Sequence, residues 1–62
     1  MTAVAELSSA ATALDELVRR VSGIADDIKS EQEALSSELY EVERTLVSAH
    51  RRLVRLINIA RA

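Results

Sequence analysis

An unbroken heptad repeat is the feature that most constrains how this chain can fold. With Val4 placed at position a, sixteen of the seventeen a and d positions from Val4 to Ala60 carry apolar side chains, and no residue is inserted or skipped. A repeat of this length is typical of helices that pack along a shared seam. The chain also has no proline and one glycine and is rich in Ala, Leu, Glu and Arg, so we predict an all-α fold.

The one polar residue in this repeat indicates a turn. Gln32 occupies an a position inside residues 29–33, the only five-residue stretch without an apolar side chain. Ser30 and Glu33 have the spacing of a capping box, in which a hydroxyl and a carboxylate satisfy free N–H groups at a helix start. We therefore predict a single helical domain, residues 1–62, folded as an antiparallel, coiled-coil-like hairpin. Its first arm is residues 3–28, its turn residues 29–34 and its second arm residues 35–61.

Two other architectures fit the same repeat. A single continuous coiled-coil helix would span about 88 Å, and it is favoured by a heptad phase that does not change between residues 29 and 34. An uneven hairpin could instead turn at Ser22-Gly23, where arginines precede and aspartates follow the glycine, as suits a helix end and a helix start.

The alanines of the repeat favour the symmetric hairpin. When the arms are paired so that facing residue numbers add up to 67, every small residue of the seam meets a larger one, as interdigitated packing requires. The predicted pairs are Ala11 with Leu56, Ala25 with Val42, Val18 with Ala49, and Leu7 with Ala60. A second register, in which facing residue numbers add up to 60, pairs Ala11 with Ala49 and packs less well. In a parallel in-register dimer of continuous helices, each of these alanines would face its own copy and leave a thin layer.

Both arms carry additional apolar stripes that a two-helix seam does not need. They are explained by a four-helix bundle made from two hairpins, or by a groove that binds an amphipathic helix of a different protein. A chain this short buries a limited fraction of its surface, so we expect association to stabilise it. The stripes are Ala3, Ala10, Leu17 and Ile24 at g positions of the first arm, and Tyr40, Val47 and Val54 at b positions of the second, next to Ile57 at e.

Charge is divided along the chain. Residues 26–43 contain seven acidic residues and one basic residue, whereas residues 44–62 contain no acid and five arginines. An antiparallel neighbour could place the acidic block against the basic one. The arginines could also contact nucleic acid or an anionic membrane, but the net charge of −2 and the lack of aromatic residues beside them make us expect neither partner. These arginines are Arg44, Arg51, Arg52, Arg55 and Arg61.

Residues for catalysis or metal binding are scarce. His50 is the single histidine, and no cysteine or suitably placed serine accompanies it, so we expect a residue at the seam edge rather than a general base. Neither a Glu-x-x-His motif nor a glycine-rich phosphate loop is present. We therefore expect no enzyme activity, cofactor, metal or small-molecule substrate. No signal-peptide pattern or membrane-spanning stretch is visible, so a cytoplasmic protein is expected.

The length, the two-arm layout and the end of the second arm resemble the small co-chaperones of type III secretion needle subunits. The resemblance covers about half of the chain, and the proline or glycine common in the turns of that family is missing from residues 29–34. It is carried by Ser30-Glu31-Gln32 at the turn, and by Ala49, Leu53 and Leu56-Ile57-Asn58-Ile59 in the last turns. The resemblance implies a hairpin that holds an aggregation-prone partner together with a second chaperone. The contact residues that it implies are Leu17, Ile24, Tyr40, Val47, Val54 and Ile57.

The main functional prediction is a non-enzymatic protein–protein interaction module. Such a module would be an assembly factor or co-chaperone that self-associates or binds a helical partner. One alternative is a structural scaffold, in which a continuous coiled coil holds other components apart. The other alternative is binding of nucleic acid or an anionic membrane by the arginines of the second arm.

Overall fold

The structure, a computed structural model, describes residues 2–62. Two helices, α1 at Ala3–Ile28 and α2 at Glu33–Arg61, pack against each other in antiparallel order, so the chain is an all-α helical hairpin. Its longest dimension is 46 Å. The prediction of a hairpin is confirmed, and the alternative of a continuous helix of about 88 Å is excluded.

Helix α1 begins at a capped N-terminus. Thr2 has extended backbone angles, and its Oγ1 accepts a hydrogen bond of 3.2 Å from the backbone N–H of Ala5. This bond satisfies one of the N–H groups that the first turn of a helix leaves without a partner. The helix then continues through Gly23, where an added Cβ would meet no other atom within 4 Å. The alternative turn at Ser22-Gly23 is therefore excluded.

Residues 29–32 join the helices and reverse the chain without a glycine or a positive φ angle. Lys29, the C-cap of α1, keeps helical backbone angles, and the backbone N–H groups of Glu31 and Gln32 both donate to the carbonyl of Ile28, at 3.2 and 2.7 Å. Gln32 leaves the helical region, with φ of −135° and ψ of 66°. The single polar residue of the heptad repeat thus lies at the N-cap of α2, outside both helices.

Helix α2 begins at Glu33, two residues before the expected start of the second arm at residue 35. The predicted capping box is wrong, because Ser30 lies in the turn and the N-cap residue is Gln32, whose side chain makes no capping hydrogen bond. The first turn of α2 is held by the backbone instead. The N–H of Ser36 donates to the carbonyl of Gln32 at 2.9 Å.

The seam between the helices uses the predicted positions in α1 but different ones in α2. All eight a and d residues of α1 are buried or half-buried, and Ala11 and Ala25 are the most enclosed. In α2 the enclosed residues follow the e and a positions, with Tyr40 and Val47 at b also half-buried, and the two buried ones, Ser36 and Ile57, are both at e. Relative to the prediction, α2 is rotated about its own axis.

The predicted pairing of the arms is therefore wrong. Its four α2 residues are all exposed: Val42, Ala49, Leu56 and Ala60. The physical reason is a close approach of the helices near the turn. Ala25 is completely buried there, and the hydroxyl of Ser36 donates a 2.7 Å hydrogen bond to its carbonyl. Because both residues are small, the backbones come close together and the e positions of α2 turn toward α1.

Candidate interaction surface

The rotation of α2 leaves a row of large apolar side chains uncovered. Leu35, Val42 and Leu56, which stand at d positions of α2, are each about half exposed. The same is true of two residues at g positions of α1, Leu17 and Ile24. The exposed fractions of these five side chains lie between 43% and 53%, and the surface that they form is termed the apolar face.

The apolar face lies on one side of the hairpin. Successive helical residues are about 100° apart around the helix axis. The seam of α1 is therefore flanked by its b positions on one side and its g positions on the other, and the seam of α2 is flanked by its b and its d positions. The hydroxyl of Tyr40, at a b position of α2, donates a hydrogen bond to the carboxylate of Asp26, at a b position of α1. Both b edges therefore share one side, termed the polar face, and the g edge of α1 and the d edge of α2 share the other.

The core beneath these two faces is thin. Among residues 2–62 the buried ones are Ala11, Ala25, Ser36 and Ile57, and three of these four are small. The leucines at a positions of α2 and at d positions of α1 are only half-buried. A hairpin of two helices has one contact surface, so much of the apolar surface that the heptad repeat supplies remains accessible.

The structure separates the six residues predicted to contact a partner. Leu17 and Ile24 belong to the apolar face. Ile57 is 6% exposed and lies in the seam, where it and Ala11 line the same shallow depression. Its burial leaves Ile57 little surface to offer a partner in this hairpin, and the exposed neighbour Leu56 takes the outward position.

The other three predicted contact residues, Tyr40, Val47 and Val54, lie at b positions of α2 and border the polar face. Val54 is exposed, whereas Tyr40 and Val47 are half-buried. They are therefore on the opposite side of the hairpin from Leu17 and Ile24, and a partner that covers one group does not cover the other.

The heptad repeat predicts Leu35, Val42 and Leu56 in the seam, whereas the structure places them on the surface. The signal that could have identified them is the width of the apolar arc of α2. Apolar residues fill its d and a positions and the three central b positions, which together span about 160° around the helix. A stripe of about 100° is enough to face one neighbouring helix, so one edge of the arc had to remain uncovered.

The charge beside the apolar face changes sign along α2. Glu38 lies beside the face near the turn, and Arg52 lies beside it in the C-terminal half, with Thr45 midway between them. All three stand at g positions and are exposed. Farther out on the same helix, Arg44 pairs with Glu41 at 3.1 Å in an exposed ion pair. The rim of the apolar face is thus acidic toward the turn and basic toward the C-terminus.

The polar face carries a shallow depression that contains His50 and Asp15, the neighbour considered for this histidine in the sequence. Both side chains are half-buried, as expected for the edge of the seam. Within residues 2–62, no cluster of three or more His, Cys, Asp or Glu side chains is arranged to hold a metal ion.

The bond between Tyr40 and Asp26 links the two helices across the polar face. Donation to the Asp26 carboxylate, and secondarily withdrawal from water, raise the pKa of the Tyr40 hydroxyl above its usual value of 10.0. A raised pKa in the folded state means that folding favours the neutral phenol. The stabilisation is therefore complete below about pH 10 and is lost as the pH rises through the folded-state pKa.

We expect Tyr40→Phe to lower the melting temperature at neutral pH and to flatten the decline in stability above about pH 10. The phenylalanine keeps the ring packing but cannot donate to Asp26 or ionise. Thermal melts followed by circular dichroism, for both proteins across this pH range, provide the measurement. An equally steep alkaline decline in the two proteins would show that the bond between Tyr40 and Asp26 does not couple to folding.

Comparison with protein-family models, with curated proteins and with solved structures finds no match to this chain. The resemblance to the co-chaperones of needle subunits therefore stays a hypothesis. Among the described residues, neither helix is both long and apolar enough to pass through a membrane.

Proposed function

We propose that this chain is a protein–protein interaction module whose apolar face packs against another helical surface. The observation that carries the proposal is the exposure of Leu17, Ile24, Leu35, Val42 and Leu56 on one side of the hairpin. Full burial of a side chain of this kind contributes about 1.5–3 kcal/mol relative to exposure. Because each side chain is already about half buried, covering the face contributes part of this free energy for each residue. The role that this favours is an assembly factor or chaperone-like adaptor.

The dimensions of the hairpin support this proposal. Single exposed apolar residues are common on proteins, whereas a contiguous apolar patch is typical of an interaction site. The broad side of the hairpin measures 46 by 17 Å, a footprint of about 780 Å², and a standard protein interface buries about 800 Å² on each partner. A partner that covers this side would therefore form an interface of ordinary size.

The contrast between the two faces supports the apolar face as the side that a partner covers. On the polar side, Asp15 pairs with Arg19 at 3.1 Å, and the hydroxyl of Thr12 donates to the carbonyl of Ser8. Polar groups that are paired locally and open to solvent gain little from being covered. The apolar face has no such groups at its centre, so it is the side on which association is favourable.

Site-specific photo-crosslinking tests the proposal. A photo-reactive phenylalanine analogue at Val42 is expected to form covalent adducts with a neighbouring protein when cells that produce the chain are irradiated. The same analogue at Val54, an exposed valine of the same helix that borders the polar face, is the matched control and is expected to form few adducts. Addition of Leu17→Glu to the Val42 variant should remove the adducts, because a buried unpaired charge opposes packing. Equal labelling from both positions, or none from Val42, would contradict the proposal.

A further inference from the structure

We propose that the apolar face is covered by a second copy of the same chain, turned end for end, so that two hairpins form an antiparallel four-helix bundle. This inference rests on the proposed function and deepens it by naming the partner. In this arrangement α2 packs on α2 of the second copy, and α1 packs on α1. The twofold axis lies in the interface between the two hairpins, perpendicular to their helices, near the middle of their length.

The exposed residues of α2 are complementary to themselves in this orientation. When Leu35 faces the second copy's Leu56, Val42 faces the second copy's Ala49, and symmetry repeats both pairs in reverse. All four residues stand at d positions and are exposed in the single hairpin. The row therefore packs on an inverted copy of itself with no step in register, as a twofold interface requires.

The same register brings opposite charges together on the rim. Glu38 faces the second copy's Arg52, and the reverse pair follows from symmetry, at exposed g positions beside the interface. Thr45 lies midway between Glu38 and Arg52 and faces the same residue of the second copy, close to the axis. Charges that flank a helical interface in this way influence which orientation the helices adopt.

Helix α1 is compatible with the same orientation. When Leu17 faces the same residue of the second copy, Ala10 faces the second copy's Ile24, so that a small residue meets a large one. On the outer rim of α1 this register brings Glu6 near the second copy's Asp27. Both carboxylates are exposed, so solvent and salt reduce the cost of this like-charge pair.

The register of α2 on the second copy's α2 and that of α1 on the second copy's α1 agree on the position of the twofold axis. Ser36 and Ala25 are level within the hairpin because the hydroxyl of one bonds to the carbonyl of the other. Nine residues farther from the turn along each helix, Thr45 is level with Glu16. The packing of α2 thus places the axis between one and one and a half residues, or about 1.5–2.3 Å, from its place in the packing of α1 at Leu17. A single axis therefore serves both helices.

The other twofold arrangement places the two turns side by side. It brings residues 26–43 of both copies together, and these contain seven acidic residues and one basic residue, a net charge of −6 per chain. Like charges concentrated in this way oppose association. That arrangement also separates Glu38 from the second copy's Arg52. The end-for-end arrangement is favoured on both grounds.

Sedimentation equilibrium of the purified full chain tests whether the partner is a second copy. We expect a species of twice the 6.8 kDa chain mass at micromolar concentration. Val42→Glu is expected to raise the dimer Kd by at least about a hundredfold because it buries a charge, whereas Val54→Glu should change it less than about threefold. A wild-type chain that stays monomeric at submillimolar concentration would overturn the inference. The proposed function would survive that result if Val42 still cross-linked to a different protein, and it would fail if Val42 formed no adduct.

Chemical cross-linking tests the orientation, and the absence of native cysteine makes single thiols unambiguous. A short bifunctional thiol reagent is expected to join Thr45→Cys chains into covalent dimers in high yield, because Thr45 lies beside the axis. Ser37→Cys, at an exposed position of α2 that faces away from the apolar face, is the control and is expected to react poorly. A dimer that is not joined through position 45 would overturn the end-for-end arrangement.

Charge reversal tests the same orientation independently. Glu38→Arg or Arg52→Glu alone is expected to raise the Kd about tenfold, because both rim pairs become repulsive. The double variant restores opposite charges and should return to within about threefold of the wild type. Arg51→Glu carries the same charge change on the outer surface of α2 and should have little effect. A double variant that dimerises more weakly than either single variant would overturn the predicted pairing.

Discussion

Ala25→Leu is expected to destabilise the hairpin by about 3 kcal/mol. Ala25 is completely buried, and its carbonyl accepts the hydrogen bond from the Ser36 hydroxyl of α2. A leucine at this position fits only if α2 moves away, and that movement also breaks the hydrogen bond. Because a small domain has few kcal/mol of net stability, most of the helical structure should be lost at room temperature.

Urea unfolding followed by circular dichroism measures this effect. Ala13→Leu is the matched control, because Ala13 is an exposed alanine of the same helix and its replacement should change the free energy of unfolding by less than about 0.5 kcal/mol. If the two variants unfolded at the same urea concentration, the close approach of the helices at Ala25 would be incorrect.

Ile57→Ala is expected to lower the free energy of unfolding by about 3 kcal/mol. Within residues 2–62, Ile57 is the one large side chain that is buried, and it lies near the open end of the hairpin. Its truncation removes apolar contact from the seam and leaves a space that the neighbouring residues fill only in part. The ends of α1 and α2 should separate first, since they are held by the fewest enclosed side chains.

Hydrogen exchange resolves this effect along the chain. The amides near the N-terminus of α1 and the C-terminus of α2 are expected to lose protection in Ile57→Ala. Ile59→Ala removes the same atoms from a side chain of the same helix that is 63% exposed, and it should leave the protection nearly unchanged. Equal losses in the two variants would mean that Ile57 does not pack in the seam.

The helices and the turn between them follow from local signals in the sequence. The heptad repeat predicts two helical arms, and the polar stretch around Gln32 predicts where they separate. The predicted seam of α1 is also confirmed, because its a and d residues are buried or half-buried. The predicted Ser30 cap is wrong because the turn that follows Ile28 extends past Ser30: the N–H groups of Glu31 and Gln32 both bond to the Ile28 carbonyl, and α2 begins only after Gln32.

The rotation of α2 could not be predicted from periodicity. Its apolar residues extend to both sides of the a positions, so either edge could face α1 with a comparable gain in buried area. The choice depends on a tertiary contact between Ala25 and Ser36, two residues that contribute little to an apolar pattern. A buried serine is tolerated there because its hydroxyl has an acceptor on the neighbouring helix. This contact between distant residues decides which side chains form the apolar face.

The geometry of the turn also relates the hairpin to an extended form of the chain, in which both helices would be continuous. Lys29 has helical backbone angles, and the N–H of Gln32 bonds to the carbonyl four residues earlier, whereas Gln32 itself lies outside the helical region. A return of the turn residues to helical backbone angles would straighten the chain into one rod of about 88 Å with uninterrupted heptads. Two such rods could rebuild the contacts of α1 with α2 between chains, as in domain swapping. Residues 29–32 would then be the hinge of the exchange, and protein concentration during refolding would decide which form is populated.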